Sequence, residues 1–190
     1  MVQRKQEVLI VGGGLAGLVA SLLLVKKGHA VTLVEKKVYP FHRVCGEYVS
    51  NEVLDFLKRN NLYPDFLELP HIDTFEFSDT RGKSVFLPLD LGGFGISRYQ
   101  LDLWLYQLAS EQGVKFLTGT TVTDLVFLEK EDLFQVKLSD FQVLQVPVVL
   151  GAFGKRSKLD QVLERPFFTK RSPYIGVKYH VLAEGSANTV

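Results

Sequence analysis

Gly12, Gly14 and Gly17 stand in the spacing G-x-G-x-x-G, and a carboxylate, Glu35, follows 18 residues after the last of them. These residue types suit the holding of a pyrophosphate and a ribose. Gly12 permits a tight strand-to-helix turn. Gly14 leaves no side chain between backbone N–H groups and a phosphate, and Gly17 lets a helix lie close to a strand. The N-terminus of that helix then favours the phosphate charge. Glu35 is placed to accept both hydroxyls of an adenosine ribose, and its charge argues against a 2′-phosphate there. Lys36 and Lys37 beside it weaken that exclusion only slightly.

A glycine run of this kind is a weak signal alone, so the elements around it must carry the reading. Val8, Leu9, Ile10 and Val11 form a short apolar run that stops at glycine, as a strand buried on both faces would. Leu15, Leu18, Val19, Leu22 and Leu23 then recur at the spacing of a helix with one buried stripe. Lys26 and Lys27 suit its last turn, and Gly28 stops it. Residues 30–34 give a second buried strand that closes at Glu35. The sequence thus predicts strand, turn, helix, strand and acid in the order of an adenine-dinucleotide site.

Regular alternation then breaks off. Residues 36–49 are irregular, and a helix is expected near Ser50, an N-cap, with Val53, Leu54 and Leu57 inward. Residues 72–78 and 84–87 read as strands flanking a turn at 79–83. Gly92-Gly93-Phe94-Gly95 leads to Ser97-Arg98-Tyr99-Gln100, which has the form of a capping box. The helix it opens carries Leu101, Trp104, Leu105 and Leu108 inward and ends at Gly113. Strands are expected at 114–117, 122–128, 134–138 and 143–150, the last closing on Gly151-Ala152-Phe153-Gly154. Residues 172–182 read as entry into a second sheet, with Ile175, Val177, Tyr179 and Val181 alternating against Lys178 and His180. Residues 184–190 hold no helix or strand pattern.

In this order the motifs resemble the flavoprotein group of p-hydroxybenzoate hydroxylase-like monooxygenases, squalene-epoxidase-like enzymes, flavin-dependent halogenases and geranylgeranyl reductases. Three matches carry the resemblance. They are Gly12–Gly17 with Glu35, the helix opened by Ile96-Ser97-Arg98 and continued by Leu101-Asp102, and residues 151–157, which resemble a Gly-Ala-Asp-Gly-x-x-Ser motif. Arg43-Val44-Cys45-Gly46-Glu47 is similar to the Cys-Gly-Gly stretch of the reductase branch. Phe153 departs from the pattern, standing where the motif has Asp, and the later Gly-Asp motif that contacts the flavin ribityl chain is absent from residues 1–190.

The resemblance implies an α/β, Rossmann-like FAD-binding fold of three layers (ββα) with a β-rich substrate region whose C-terminal part is missing. The FAD-binding part is expected at 1–70 and 96–163, and the start of the substrate region at 71–95 and 164–190. A protein roughly twice as long is expected, since a domain pair of this kind needs more chain. The implied cofactor is FAD, with NAD(P)H as a transient electron donor that has no nucleotide domain of its own. The residues expected to line the cofactor are Gly12, Gly14, Leu15, Ala16, Gly17, Glu35, Lys36, Arg43, Arg98, Val122, Gly151 and Gly154. No catalytic residue is assigned beyond Cys45, which the reductase likeness would set beside the flavin ring, whereas a single buried cysteine is ordinarily inert packing. The activity implied is oxygenation or reduction of an organic, lipid- or polyene-like small molecule. Rival readings are a double-bond reductase, a halogenase (for which the single Trp104 lacks the expected tryptophan-rich setting), and a non-catalytic nucleotide-binding fragment unable to retain flavin.

Composition bounds the rest. With 46% hydrophobic and 23% charged residues the chain is an ordinary globular one, and a net charge of +1 without a basic stripe argues against nucleic acid. Cys45 is the single cysteine, so no internal disulfide framework exists and a reducing, cytoplasmic setting is expected. His29, His42, His71 and His180 lack metal-ligand spacing. No stretch approaches the roughly 20 apolar residues of a membrane span.

Overall fold

The computed structural model describes residues 7–154, 157–169, 174–182 and 185–190. They divide into two compact units, one of residues 7–41 with 102–169 and one of 42–101 with 174–190.

The first unit is built on a parallel sheet. β1 (Glu7–Val11) leads through α1 (Leu15–Lys26) to β2 (Ala30–Glu35), which lies parallel beside it. A parallel neighbour requires such a crossover, because a hairpin returns the chain antiparallel. β6 (Lys115–Thr118) extends the sheet past β2, and β10 (Val148–Gly151) joins the other side of β1, giving the order β10-β1-β2-β6. Strands buried on both faces must be apolar throughout, and Val8, Leu9, Ile10 and Val11 are all buried.

The two faces of β1 serve different layers, since side chains alternate along a strand. Leu9 and Val11, with Val34 of β2, join a core cluster with Val122, Val136, Leu138 and Val146. Those last residues come from a three-stranded antiparallel meander, β7 (Val122–Leu128), β8 (Leu133–Leu138) and β9 (Val143–Val146). α1 packs on β1 and β2, burying Leu18, Ser21 and Leu22 most deeply, while Leu15, Val19 and Leu23 are half-buried. The stripe is therefore rotated from the one expected. Buried Ser21 is accommodated because its hydroxyl donates to the Leu18 carbonyl at 2.7 Å. Helix, parallel sheet and meander make the three α/β layers anticipated from the resemblance.

The strand expected over 143–150 is two strands in two sheets, β9 in the meander and β10 in the parallel sheet. Pro147 between them has no N–H for a ladder, so the chain can leave one sheet there and enter the other. α4 (Leu159–Val162) follows, with Leu159 in the core cluster.

The second unit holds an antiparallel sheet of order β3-β5-β4, from β3 (Tyr48–Ser50), β4 (His71–Ser78) and β5 (Ser84–Gly95). β5 runs on past the expected end at residue 87 through Gly92-Gly93-Phe94-Gly95, and Tyr48 lies across these glycines. Its hydroxyl donates to the Gly92 carbonyl at 2.8 Å, and a Cβ on Gly93 would sit 2.3 Å from its ring. Ser50 caps a short 3-10 turn (Asn51–Val53) rather than α2 (Leu54–Arg59) itself; Leu54 and Leu57 are half-buried, and Val53 is exposed. α3 (Arg98–Glu111) starts in this unit with the expected capping box, Gln100 N–H donating to Ser97 Oγ at 3.2 Å.

Two tail expectations fail. Residues 174–182 form no strand, and Ile175, Val177, Tyr179 and Val181 are all exposed, so alternation there reflects no buried sheet face. Residues 172 and 173 of that expected strand lie outside the described residues. Conversely, the patternless end pairs with β4: Thr189 bridges Thr74, and Val190 and Thr74 or Glu76 exchange backbone hydrogen bonds at 2.9 and 2.8 Å. Among the described residues no helix is long and apolar enough to cross a membrane.

Candidate FAD site

The parallel sheet has its chain reversal at β1, whose two neighbours β2 and β10 are reached in opposite directions. The carboxyl end of such a sheet, at the point of reversal, is where ligands bind in open α/β folds. Gly12 follows β1 there at φ +106°, a value side-chain-bearing residues rarely adopt. A Cβ on it would lie 2.4 Å from the Ala152 carbonyl oxygen, in the loop that follows β10. The Gly12 N–H donates to Val34 O at 2.8 Å, and Ala152 N–H to Val11 O at 2.8 Å. The turn is thus stitched to both neighbouring strand ends.

Gly17 lies in the first turns of α1, and a Cβ there would sit 2.0 Å from the Gly12 carbonyl oxygen. Gly14 is the N-cap of α1 and has no side chain to cap it, and no acidic residue occupies the first turn. The first N–H groups of a helix have no intrahelical partner, so Leu15, Ala16 and Gly17 offer donors and a positive dipole end at this mouth. Ala16 is exposed and Leu15 half-buried.

Glu35 is buried, at 5% exposure, at the end of β2. Its Oε2 accepts the Gly13 N–H at 2.8 Å and its Oε1 the Lys37 N–H at 3.1 Å. Backbone N–H groups on both oxygens fix the carboxylate in place, and a carboxylate is an acceptor of the kind two ribose hydroxyls require. Lys36 is exposed beside it. This donor set suits the adenosine and pyrophosphate end of FAD: a glycine cradle that a Cβ would fill, an uncapped helix start, and an anchored carboxylate.

Sequence reasoning missed two members of this arrangement, Gly13 and Tyr39. Tyr39 is buried, its hydroxyl donates to the Gly13 carbonyl at 2.5 Å, and a Cβ on Gly13 would lie 1.9 Å from that hydroxyl oxygen. The signal available was Gly13 itself, the middle of three consecutive glycines, at a position the G-x-G-x-x-G pattern leaves open.

The other expected residues fall as follows. Val122 is buried in the core cluster. Gly151 ends β10 and Gly154 follows Ala152 and Phe153 in the loop after it, with Gly154 at φ +71°. Phe153, in the place of the family's Asp, packs against the same core cluster, which gives an apolar side chain a reason to stand there. Lys155 and Arg156 of that motif lie outside the described residues, and Ser157 Oγ accepts the Leu159 N–H at 3.2 Å at the start of α4.

Arg43, Cys45 and Arg98 belong to the second unit. Arg43 and Arg98 are half-buried. Cys45 is a free, half-buried thiol that accepts the Glu47 N–H at 3.4 Å. Glu47, also unforeseen, gathers this unit's polar residues. At φ +62° its carbonyl accepts Ile96 N–H at 2.9 Å and its Oε1 accepts the Arg98 N–H at 3.2 Å, supplying the negative charge that the α3 N-terminus favours. The same carboxylate pairs with Lys178, and its Oε2 lies 3.5 Å from His180 Nε2. His180 meets the edge of His42, which stacks on Tyr99. Burial works to raise the Glu47 carboxyl, but the Lys178 ammonium, the Arg98 N–H and His180 together hold it below the usual carboxylate range. Among the described residues no three His, Cys, Asp or Glu side chains are grouped to hold a metal.

The fold and the glycine cradle define an adenine-dinucleotide site of the flavoprotein kind. Residues 5–125 match the model of the FAD binding domain family, and the chain belongs to that family. It is 30% identical over 174 residues to the FAD-dependent monooxygenase asL4 of Sarocladium schorii, covering 84% of this chain and 39% of that protein. It is 24% identical to a menaquinone reductase of Mycolicibacterium smegmatis, covering 85% of this chain and 40% of that one. Among solved structures it resembles CmlS, a flavin-dependent halogenase, with a TM-score of 0.69 and 24% identity over 85% of this chain and 32% of the other. The chain thus spans about two fifths of the length of these curated relatives.

Proposed function

We propose that the protein is an FAD-dependent oxidoreductase in which NAD(P)H reduces the flavin and the reduced flavin serves to oxygenate an organic small molecule. The observation that carries this reading is the cradle of Gly12, Gly17 and Glu35, and the monooxygenase relative supports the oxygenating branch. Bound FAD supplies the redox chemistry; the chain binds and orients it. Gly14, Leu15, Ala16 and Gly17 offer backbone N–H groups to the pyrophosphate, and Gly12 makes the turn that lets it approach them. Glu35, with Lys36 at its side, takes the ribose, and Val122, Gly151 and Gly154 complete the cofactor wall. The flavoprotein likeness would give Arg43 and Arg98 a role toward the phosphates or ribityl chain and Cys45 one beside the ring; no catalytic residue is assigned.

The reductase branch is the second reading, favoured by the likeness of residues 43–47 to the Cys-Gly-Gly stretch and by the menaquinone reductase relative. It would take a lipid-like or polyene substrate. Halogenation would be a third use of the same cofactor. The test is anaerobic addition of NADH or NADPH to the FAD-loaded protein, followed by oxygen. Bleaching of the flavin absorbance and substrate-stimulated oxygen uptake are expected. Bleaching with no oxygen uptake, but with hydride transfer to a quinone or polyene, would favour the reductase. No bleaching by either nicotinamide would remove NAD(P)H as donor.

A further inference from the structure

The Gly13 residue is held from both sides. Its N–H is fixed on Glu35, and its carbonyl on the Tyr39 hydroxyl, from a residue 26 positions along the chain. A trans peptide is planar, with its C=O and N–H pointing in opposite directions. In the Gly12–Gly13 plane the N–H goes to Glu35, and the Gly12 carbonyl accordingly faces the other way, against Gly17, where a Cβ would meet it at 2.0 Å. In the next plane the Gly13 carbonyl goes to Tyr39, so the Gly14 N–H must point away from Tyr39.

We propose that Tyr39 is a positioning residue of the cofactor site: by holding the Gly13 carbonyl it aims the Gly14 N–H at the pyrophosphate. Together with Glu35 it makes the glycine turn a single rigid receptor for the adenosine half of FAD. This inference rests on the FAD reading above.

The ring is itself positioned for the task. Tyr39 stacks on Tyr106 of α3, with centroids 4.5 Å apart and planes 17° from parallel, and meets the edge of Phe116 of β6 at 6.5 Å. Phe41 lies 5.3 Å away in a tilted contact. Three aromatic neighbours fix the ring plane, and the hydroxyl is the only polar atom of the side chain. A phenylalanine keeps these ring contacts and loses the bond to Gly13. Preorganised backbone donors are what an anion site needs, because their alignment is then not lost from the binding energy.

The test compares FAD and ADP binding to the full chain, by flavin fluorescence and calorimetry, with thermal unfolding of the FAD-free protein. Tyr39→Phe should weaken FAD and ADP in parallel by about tenfold, and should lower the melting temperature of the FAD-free protein only modestly, by no more than the loss of one buried hydrogen bond. Gly13→Ala should weaken both more, since its Cβ would lie 1.9 Å from the Tyr39 hydroxyl. In Gly13→Ala with Tyr39→Phe that overlap is gone, leaving the ring Cζ at 3.1 Å and the Glu35 Cβ at 3.0 Å. The double variant should therefore bind ADP more tightly than Gly13→Ala alone. Wild-type affinity in Tyr39→Phe, strictly additive losses in the double variant, or a large fall in FAD-free stability would each overturn the positioning role. Failure of the wild-type chain to bind either ligand would instead overturn the FAD reading beneath it.

Discussion

Replacing Glu35 by glutamine tests the ribose carboxylate with the least change of shape. Glu35 accepts Gly13 N–H on one oxygen at 2.8 Å and Lys37 N–H on the other at 3.1 Å. Glutamine has one acceptor oxygen, so one of these N–H groups must face an amide NH2, which is itself a donor. At 5% exposure the site admits little water to repair the loss. A buried donor left unpaired costs about 1–3 kcal/mol, so the FAD-free variant should lose stability by about that much. The cofactor loses more than geometry, because hydrogen bonds to a carboxylate are roughly twice as strong as those to a neutral acceptor. Two ribose hydroxyls losing a charged acceptor correspond to a rise in FAD dissociation constant of about 10- to 100-fold, at about 1.4 kcal/mol per factor of ten. Urea unfolding of the FAD-free protein and a flavin fluorescence titration measure the two effects separately. Unchanged affinity together with unchanged stability would refute both the ribose assignment and the bonds that anchor it.

Other perturbations address other parts of the account. Gly17→Ala would place a Cβ 2.0 Å from the Gly12 carbonyl oxygen, so α1 must move off the strand end; FAD affinity should fall at least tenfold, with a stability loss of about 1–3 kcal/mol in a melting experiment. Leu33→Ala, at a fully buried position of β2, should cost about 2–5 kcal/mol in urea unfolding. Phe153→Asp restores the family's residue but withdraws an aromatic ring from the core cluster, and should lower stability by about 2 kcal/mol. Glu47 has a depressed folded-state pKa, so its contribution to stability is present above its ordinary value of 4.5 and is lost as pH falls through the lower folded value. Acid unfolding of Glu47→Gln should therefore lack that part of the pH dependence below about 4.5, and an unchanged acid profile would contradict the pairing with Lys178 and His180.

What could be read from the sequence was local. The strand, glycine turn, helix and acid lie within 29 consecutive residues, and each conformation is fixed by local backbone geometry, so the elements over residues 7–35 were legible, while the buried stripe of α1 was rotated from the one expected. The capping box at Ser97 was legible for the same reason. Tyr39 was not, because its role depends on where its hydroxyl ends in space, on a carbonyl 26 residues earlier. Glu47 was missed likewise, since its partners come from positions 96–98 and 178–180. The split at Pro147 was overlooked although proline was in plain view, because an apolar run on both sides of it looks the same whether it belongs to one sheet or two. The alternation over 175–181 misled because period-two patterning records an extended chain with two unlike sides, not the presence of a neighbour to bury one of them.

The central claim is that the glycine turn, Glu35 and the uncapped start of α1 hold the adenosine and pyrophosphate half of FAD. Its most direct measurement is FAD binding to the purified chain in competition with ADP. The account predicts a saturable complex of one FAD per chain, displaced by ADP, and an affinity lowered by Glu35→Gln for both ligands. A chain that neither retains nor takes up FAD, or an FAD complex that ADP does not displace, would contradict it.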